Sequence, residues 1–243
     1  MAGHSKWKNI QRRKNAQDAK RGKIFMKLAK EIYVAAKNGG GDPDTNPSLR
    51  LAIDKAKSNN MPNDNSERAI QKASGDQDNV HYEEITYEGY GPGGVAVMVH
   101  LLTDNKNRAA AEVRHAFTKN GGNLGEKGCV AFMFERKGIL VIDRGHYEID
   151  EEDMLLEAIE AGAEEIETSA DTFVVYTTVD DFESVKTALE AKGFSFQAAE
   201  LTMIAQSTTT PSDEDAQKMN DLIDALEDND DVQEVYHNME TTG

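Results

Sequence analysis

The sequence is short of the features that mark several function classes. It has one cysteine, Cys129, in 243 residues. A disulfide framework is therefore excluded, and the chain fits a reducing cytoplasm. Cys129 lies between Gly128 and Val130, just ahead of Ala131-Phe132-Met133-Phe134. That is the setting of a small buried hydrophobe rather than of a nucleophile. No apolar run approaches the length of a membrane span, and the N-terminus lacks the apolar core of a secretory signal. Its start is basic and acid-poor, as in a mitochondrial transit peptide, yet it runs into the next helix without a cleavage-like break. The expectation is a cytoplasmic protein with no membrane contact.

Catalytic and metal chemistry are equally thin. The six histidines (His4, His81, His100, His115, His146 and His237) are scattered without metal-ligand spacing. With 44 Asp and Glu, chance carboxylate pairs are expected, and none falls in a recognisable acid/base motif. The glycines Gly89, Gly91, Gly93 and Gly94 lack the Lys-Ser/Thr that completes a phosphate loop. They fall between two predicted strands, so a hairpin turn is the better reading. Gly121, Gly122 and Gly125 follow a predicted helix, and either cap it or let a partner approach the backbone closely. His115 shares that helix with Arg108, Arg114 and Lys119, a candidate polar surface. The sequence predicts no enzyme, cofactor, metal or small-molecule substrate.

What is present is charge, unevenly placed. Residues 1–37 hold eleven Lys and Arg against Asp18 and Glu31, a net +9 in a chain of net −17. Residues 138–243 hold four bases and 28 acids. One end seeks polyanions and the other repels them. The acidic half is most simply a solubility feature. The functional alternatives are that it orients the protein on a polyanion with the inserted domain away from the phosphates, engages a basic protein, or mimics nucleic acid.

Along the chain, residues 5–21 have weak apolar periodicity, with Trp7 and Ile10 the only clear pair, and read as a basic arm. From residue 22 the pattern sharpens. Ile24, Leu28 and Ile32 recur every four residues, while Lys23, Lys27, Lys30 and Lys37 take another face. This predicts an amphipathic helix with a basic outer stripe, ended by Gly39–Gly41. Asn46 then caps a second helix with Pro47 at its first position. Asp64 and Glu67 are spaced as a capping box for a third. After a linker at 76–80 the period changes. Strands are predicted near Ile85–Tyr87, Val95–Leu102, Val130–Phe134 and Ile139–Ile142, with a helix over 107–119. Further on, a helix opening at Asp150 or Glu151 turns Met154, Leu155, Ala158 and Ile159 inward. Residues 138–202 spell β-α-β-β-α-β, the ferredoxin-like order. The flanks form a second α+β sandwich, with a strand from the 203–208 region, a helix over 213–227 and a strand at Val232–Tyr236.

The predicted fold class is thus α+β: an N-terminal three-helix basic bundle followed by two ferredoxin-like domains, one inserted in the other. The predicted units are a basic arm at 1–21, a bundle at 22–78, a discontinuous domain at 79–137 plus 203–243, and an inserted acidic domain at 138–202. The candidate phosphate contacts are Lys6, Lys8, Arg12, Arg13, Lys14, Lys20, Arg21, Lys23, Lys27 and Lys30, since each cation that neutralises a phosphate releases counterions. Trp7 is a candidate to stack on an unpaired base, and His4 beside it to meet bases or RNA. The bland alternative is a solvated helix face with a tail. No zinc finger or helix-turn-helix signature supports sequence-specific base readout.

The opening AGHSKWKNIQRRKNAQDAKRGKIFMKLAKEI resembles the YebC/PmpR family of probable transcriptional regulators. So do NPSLRLAIDKAKSNNMPNDNSERAI, YEGYGPGGVAVMV, NRAAAEVRHAFTKNGGNLGEKGCVAFMF and FESVKTALE, so that the similarity spans nearly the whole chain. The resemblance implies a three-domain α+β fold, a cytoplasmic location, no enzymatic activity and DNA binding in transcription regulation. It also implies an alternative. Related mitochondrial proteins activate translation, and bacterial members are linked to relief of stalled ribosomes, which makes ribosomal RNA or tRNA the partner. A basic arm without a groove-reading helix suits irregular RNA. A third reading is an acidic protein-interaction module using residues 138–243.

Overall fold

The computed structural model describes residues 21–75 and 80–240. Among them are seven α-helices and eight strands in two four-stranded antiparallel sheets. The helices α1 (Arg21–Gly39), α2 (Pro47–Ser58) and α3 (Asn63–Ser74) form the predicted bundle. Leu28, Ile32, Tyr33 and Ala36 of α1 share one core with Leu49, Ala52, Ala56, Ala69 and Ala73. Asn46 starts α2 as its sequence predicts: its Oδ1 accepts from the Leu49 N–H at 3.1 Å, and Pro47 needs no donor there. The same side-chain amide donates to the Ala35 and Gly40 carbonyls at 2.9 and 2.8 Å, closing the end of α1. The capping box predicted at Asp64 is replaced by a helix that begins at Asn63 behind Pro62, with no side-chain cap. Asp64 sits in the first turn, where its charge still favours the helix N-terminus.

The first sheet starts with the hairpin β1 (Glu83–Tyr90) and β2 (Ala96–Thr103), in register from Glu83↔Thr103 to Tyr90↔Ala96. The glycine-rich stretch is its turn. Gly91 N–H donates to the Val95 carbonyl at 2.8 Å, and Gly93 and Gly94 take φ of +72° and +74°, where a side chain would be strained. Next come α4 (Lys106–Lys119) and the short β3 (Asn123–Leu124), which returns beside β1. A Cβ on Gly122 would stand 2.8 Å from the Tyr90 carbonyl, so the backbone this glycine admits is the chain's own. Near the C-terminus, α7 (Asp213–Asp228) leads to β8 (Val232–His237), which pairs with β2. The order is β3-β1-β2-β8. Both helices cover one face, where Val97, Val99 and Leu101 meet Val113, Phe117, Leu222 and Leu226.

The second sheet holds β4 (Phe134–Asp143), β5 (Glu165–Thr168), β6 (Thr172–Thr177) and β7 (Ala198–Ala205), in the order β5-β6-β4-β7. Helices α5 (Glu151–Ala161) and α6 (Phe182–Ala191) supply the crossovers, giving the predicted ferredoxin-like order. Leu140, Ile142, Phe173 and Val175 face these helices, while Ile139, Val141, Val174 and Tyr176 are buried on the opposite face.

Three details differ from the sequence reading. The strand predicted at Val130–Phe134 is instead a 3-10 turn over Ala131–Met133, and β4 starts at Phe134 and runs unbroken through Arg136-Lys137-Gly138 into the predicted Ile139–Ile142 strand. Gly138 is a packing position and not a turn: a Cβ there would lie 2.2 Å from Thr177 Oγ1 and 2.4 Å from Phe182. The strand assigned from 203–208 to the first sheet is the end of β7, with Ala205 paired to Phe134. Both β4 and β7 therefore run across residues 137/138 and 202/203, and the first sheet is centred on its own hairpin. Finally, α5 buries Met154 and Ala158 but leaves Leu155 and Ile159 exposed. Met154 and Ala158 alone meet Phe182, Val185 and Leu189 of α6 in the core between helices and sheet.

Candidate nucleic-acid interface

Of the predicted contacts, His4, Lys6, Trp7, Lys8, Arg12, Arg13, Lys14 and Lys20 lie outside the described residues. Arg21 is exposed at the first position of α1. Lys23, Lys27 and Lys30 follow at spacings of four and three, on one stripe of the helix. Over these three residues the stripe does not face outward as predicted, whereas Lys37, its last member, is exposed. The three are turned onto the C-terminal end of α7.

The reason is electrostatic. The last carbonyls of a helix have no partner within it and carry the negative end of its dipole. The last turn of α7 holds no base of its own, and carries Glu227 and Asp228, with Asp230 just beyond. Three cations from α1 supply what is missing. Lys23 Nζ donates to the Asp228 carbonyl and lies 3.3 Å from its carboxylate and 3.6 Å from that of Asp230. Lys27 Nζ donates to the Glu227 carbonyl. Lys30 Nζ donates to the Asp230 carbonyl at 2.8 Å and the Leu102 carbonyl at 3.3 Å, and stands 5.2 Å from the Tyr82 ring centroid. Burial pulls the Lys27 ammonium down to about 8, against the opposing pull of Glu227. Burial lowers Lys30 as well, with Asp231 opposing. These lysines hold the bundle to the first sheet.

Asp231 is the hub of that joint. Its side chain is only 9% exposed and lies 3.8 Å from Lys30. Oδ2 accepts from Thr103 Oγ1 at 3.0 Å and from Arg108 Nη2 at 2.8 Å. Arg108 also reaches Asp104 at 2.9 Å, and hydrogen bonds to Asp231 and Asp104 raise its already high pKa. Arg108, read from sequence as surface lining, is therefore half committed to the joint. Arg114, His115 and Lys119 stay exposed on α4. His115 and Lys119 share an open groove with Lys23 and the acids Asp221 and Asp228.

Sequence reasoning gave no role to Lys55. It sits between Glu31 at 2.9 Å and Glu234 at 3.0 Å, in a cleft between α1, α2, β7 and β8. Burial alone would lower its pKa, but Glu234, Glu31 and Glu200 hold it well above the usual value. That cleft is lined by Glu31, Glu200, Glu227 and Glu234. Its lysines are already held by carbonyls and carboxylates, which makes it a poor seat for phosphate. Nor could spacing have found Glu88. Buried in β1, its carboxylate accepts from the Gly128, Val130 and Ala131 N–H groups at 2.7, 3.2 and 2.7 Å. It fastens the loop that carries Cys129, whose thiol burial pushes up.

Among the described residues, no group of three His, Cys, Asp or Glu could hold a metal ion. No described helix is long and apolar enough to cross a membrane.

Comparison with known proteins places this architecture. Residues 5–76 match the TACO1/YebC protein N-terminal domain, and residues 82–239 the TACO1/YebC second and third domain. A "Probable transcriptional regulatory protein" of Anoxybacillus flavithermus is 70% identical over 240 residues, covering 99% of this chain and 98% of that one. The "Probable transcriptional regulatory protein YrbC" of Bacillus subtilis is 62% identical over 238 residues, covering 98% and 99%. Among solved structures, a conserved hypothetical protein of Aquifex aeolicus is similar at a TM-score of 0.79 and 48% identity, over 92% of this chain and 91% of its own. On matches of this extent, the chain belongs to the TACO1/YebC family.

Proposed function

We propose that this protein is a non-enzymatic, nucleic-acid-binding regulator of gene expression whose phosphate contacts come from the basic arm. One observation carries the reading. The structure uses Lys23, Lys27 and Lys30 internally, at the end of α7. Of the predicted contacts, those left to meet a polyanion are then Lys6, Lys8, Arg12, Arg13, Lys14, Lys20 and Arg21, with His4 and Trp7 beside them. The acidic domain stands away from the phosphates, as like charge requires. The names of the relatives support a role in transcription, with duplex DNA as the partner.

A second reading, ribosomal RNA in translation, draws on the bundle itself. Arg68, the arginine on α3, is folded back on the Asp64 carbonyl at 3.2 Å and on Asn65 Oδ1 at 3.0 Å. The neighbouring exposed positions are Asp64, Glu67, Gln71 and Lys72, a surface of mixed charge. This is not the surface of a groove-reading helix.

Binding to a promoter duplex, a random duplex and purified ribosomes, each across a salt series, tests both. Salt-resistant preference for one duplex establishes the DNA reading. Ribosome binding that survives about 0.15 M salt, with only generic duplex attraction, establishes the RNA reading. Failure to bind any of the three at low salt rules out nucleic acid as the partner.

A further inference from the structure

Helix α5 presents its large apolar residues to solvent. Leu155, Leu156 and Ile159 are 43%, 58% and 59% exposed, whereas Met154 and Ala158 are fully buried. At 3.6 residues per turn the three aliphatics cover roughly 100° of the helix circumference as one ridge. Glu152 stands at the ridge's N-terminal end, and Glu151 and Glu160 flank it. Single exposed leucines need no explanation, but a contiguous apolar patch with a polar rim marks a binding surface.

The rim defines the partner. Residues 138–240 contain four bases, and each is already in an ion pair: Arg144 with Glu151, Lys186 with Asp54, Lys192 with Glu157 and Glu160, and Lys218 with Glu214. No ion pair among the described residues reaches Glu152 or Asp153. A second copy seated ridge to ridge would set these acids against their own kind, and an anionic lipid surface is repelled in the same way. We infer that α5 is a docking surface for another protein, which contributes a helical segment with an aliphatic ridge flanked by lysine or arginine. Apolar burial supplies the affinity, and the acids select against segments that lack the basic rim. The inference does not depend on nucleic-acid binding.

The test uses the full chain and a fluorescent leucine/lysine amphipathic peptide of roughly 18 residues, five helical turns. A lysine-only peptide of equal charge and a leucine/glutamate peptide serve as controls, by anisotropy at about 0.15 M salt. The leucine/lysine peptide should bind about tenfold or more tightly than the lysine-only one. The triple change Leu155→Ser, Leu156→Ser and Ile159→Ser should erase that margin, leave the lysine-only peptide unaffected and leave the melting temperature unchanged. Glu152→Lys with Asp153→Lys should weaken both cationic peptides. The proposal is overturned if the margin persists in the triple variant, or if the leucine/glutamate peptide binds equally well. It is also overturned if sedimentation shows a dimer that the triple variant abolishes, because the ridge then belongs to a second copy. A gain in peptide affinity on deleting residues 1–20 would assign the ridge to this chain's own arm, and overturns it likewise.

Discussion

Helices α1 and α5 are both amphipathic, and each breaks the rule that charge goes out and oil goes in. In α1 the apolar stripe fills the bundle core, yet the lysine stripe is also turned inward, onto the open carbonyls of α7. In α5 the inner contact is made by Met154 and Ala158, and the bulky aliphatics face solvent. Periodicity finds a helix and its faces. Which face is covered depends on what the rest of the fold offers. An uncapped helix end surrounded by acids draws lysines inward, and a core already filled by phenylalanine and leucine sends leucines outward.

The comparison can be broken at the joint first. Asp231→Ala removes the acceptor shared by Thr103, Arg108 and Lys30 in a nearly buried site. Removing one partner of a buried charge cluster leaves the others uncompensated. The expected loss is about 3 kcal/mol, read as a fall in the urea midpoint. A change below about 0.5 kcal/mol would mean that Lys30 and Arg108 find water instead, and that the joint is loose.

The faces of α5 provide the next contrast. Met154→Ala should cost about 2–4 kcal/mol as a buried cavity, whereas Leu156→Ala, a few positions along the same helix, should stay within about 0.5 kcal/mol. Comparable losses at both positions would mean that the exposed ridge is packed in solution.

A smaller effect comes from Lys27, whose folded pKa is near 8 against 10.5 for the unfolded chain. Below pH 8 both states hold the proton, so the full cost of burying the ammonium is felt. Between pH 8 and 10.5 the unfolded state binds more protons than the folded one, and stability attributable to Lys27 rises with pH. Lys27→Met should therefore gain on the parent below pH 8 and lose that advantage by pH 10, in paired urea midpoints. The same pH dependence in parent and variant would place the ammonium in water.

Much of the fold was legible because local chemistry and global structure agree. Asn46-Pro47 starts α2, Asp150 accepts from the Asp153 N–H at 2.8 Å to start α5, and the Gly91–Gly94 turn joins two apolar runs. The misread break before Ile139 has a local cause. Gly138 looks like a turn in sequence, and only the approach of Thr177 and Phe182 reveals it as a packing position. The candidate interface was legible as composition but not as geometry. Lys23, Lys27 and Lys30 belong to the basic segment by count, and no spacing announces that residues 227–231, two hundred positions away, will claim them. Asp231 and Lys55, which hold the lobes together, are single charges among many and leave no local pattern.

On the proposed reading the molecule divides its cations: those of the arm serve the polyanion, and the α1 lysines serve the joint. The direct measurement compares salt slopes of nucleic-acid affinity for two variants, both verified as folded by circular dichroism. One replaces Lys6, Lys8, Arg12, Arg13, Lys14 and Lys20 with alanine; the other carries Lys27→Gln alone. The arm variant should lose most of the affinity and flatten the slope by about 0.7–0.9 per phosphate contact removed, while Lys27→Gln keeps both. An arm variant that binds like the parent, or a Lys27→Gln protein that is stable but loses its salt slope, would contradict the division.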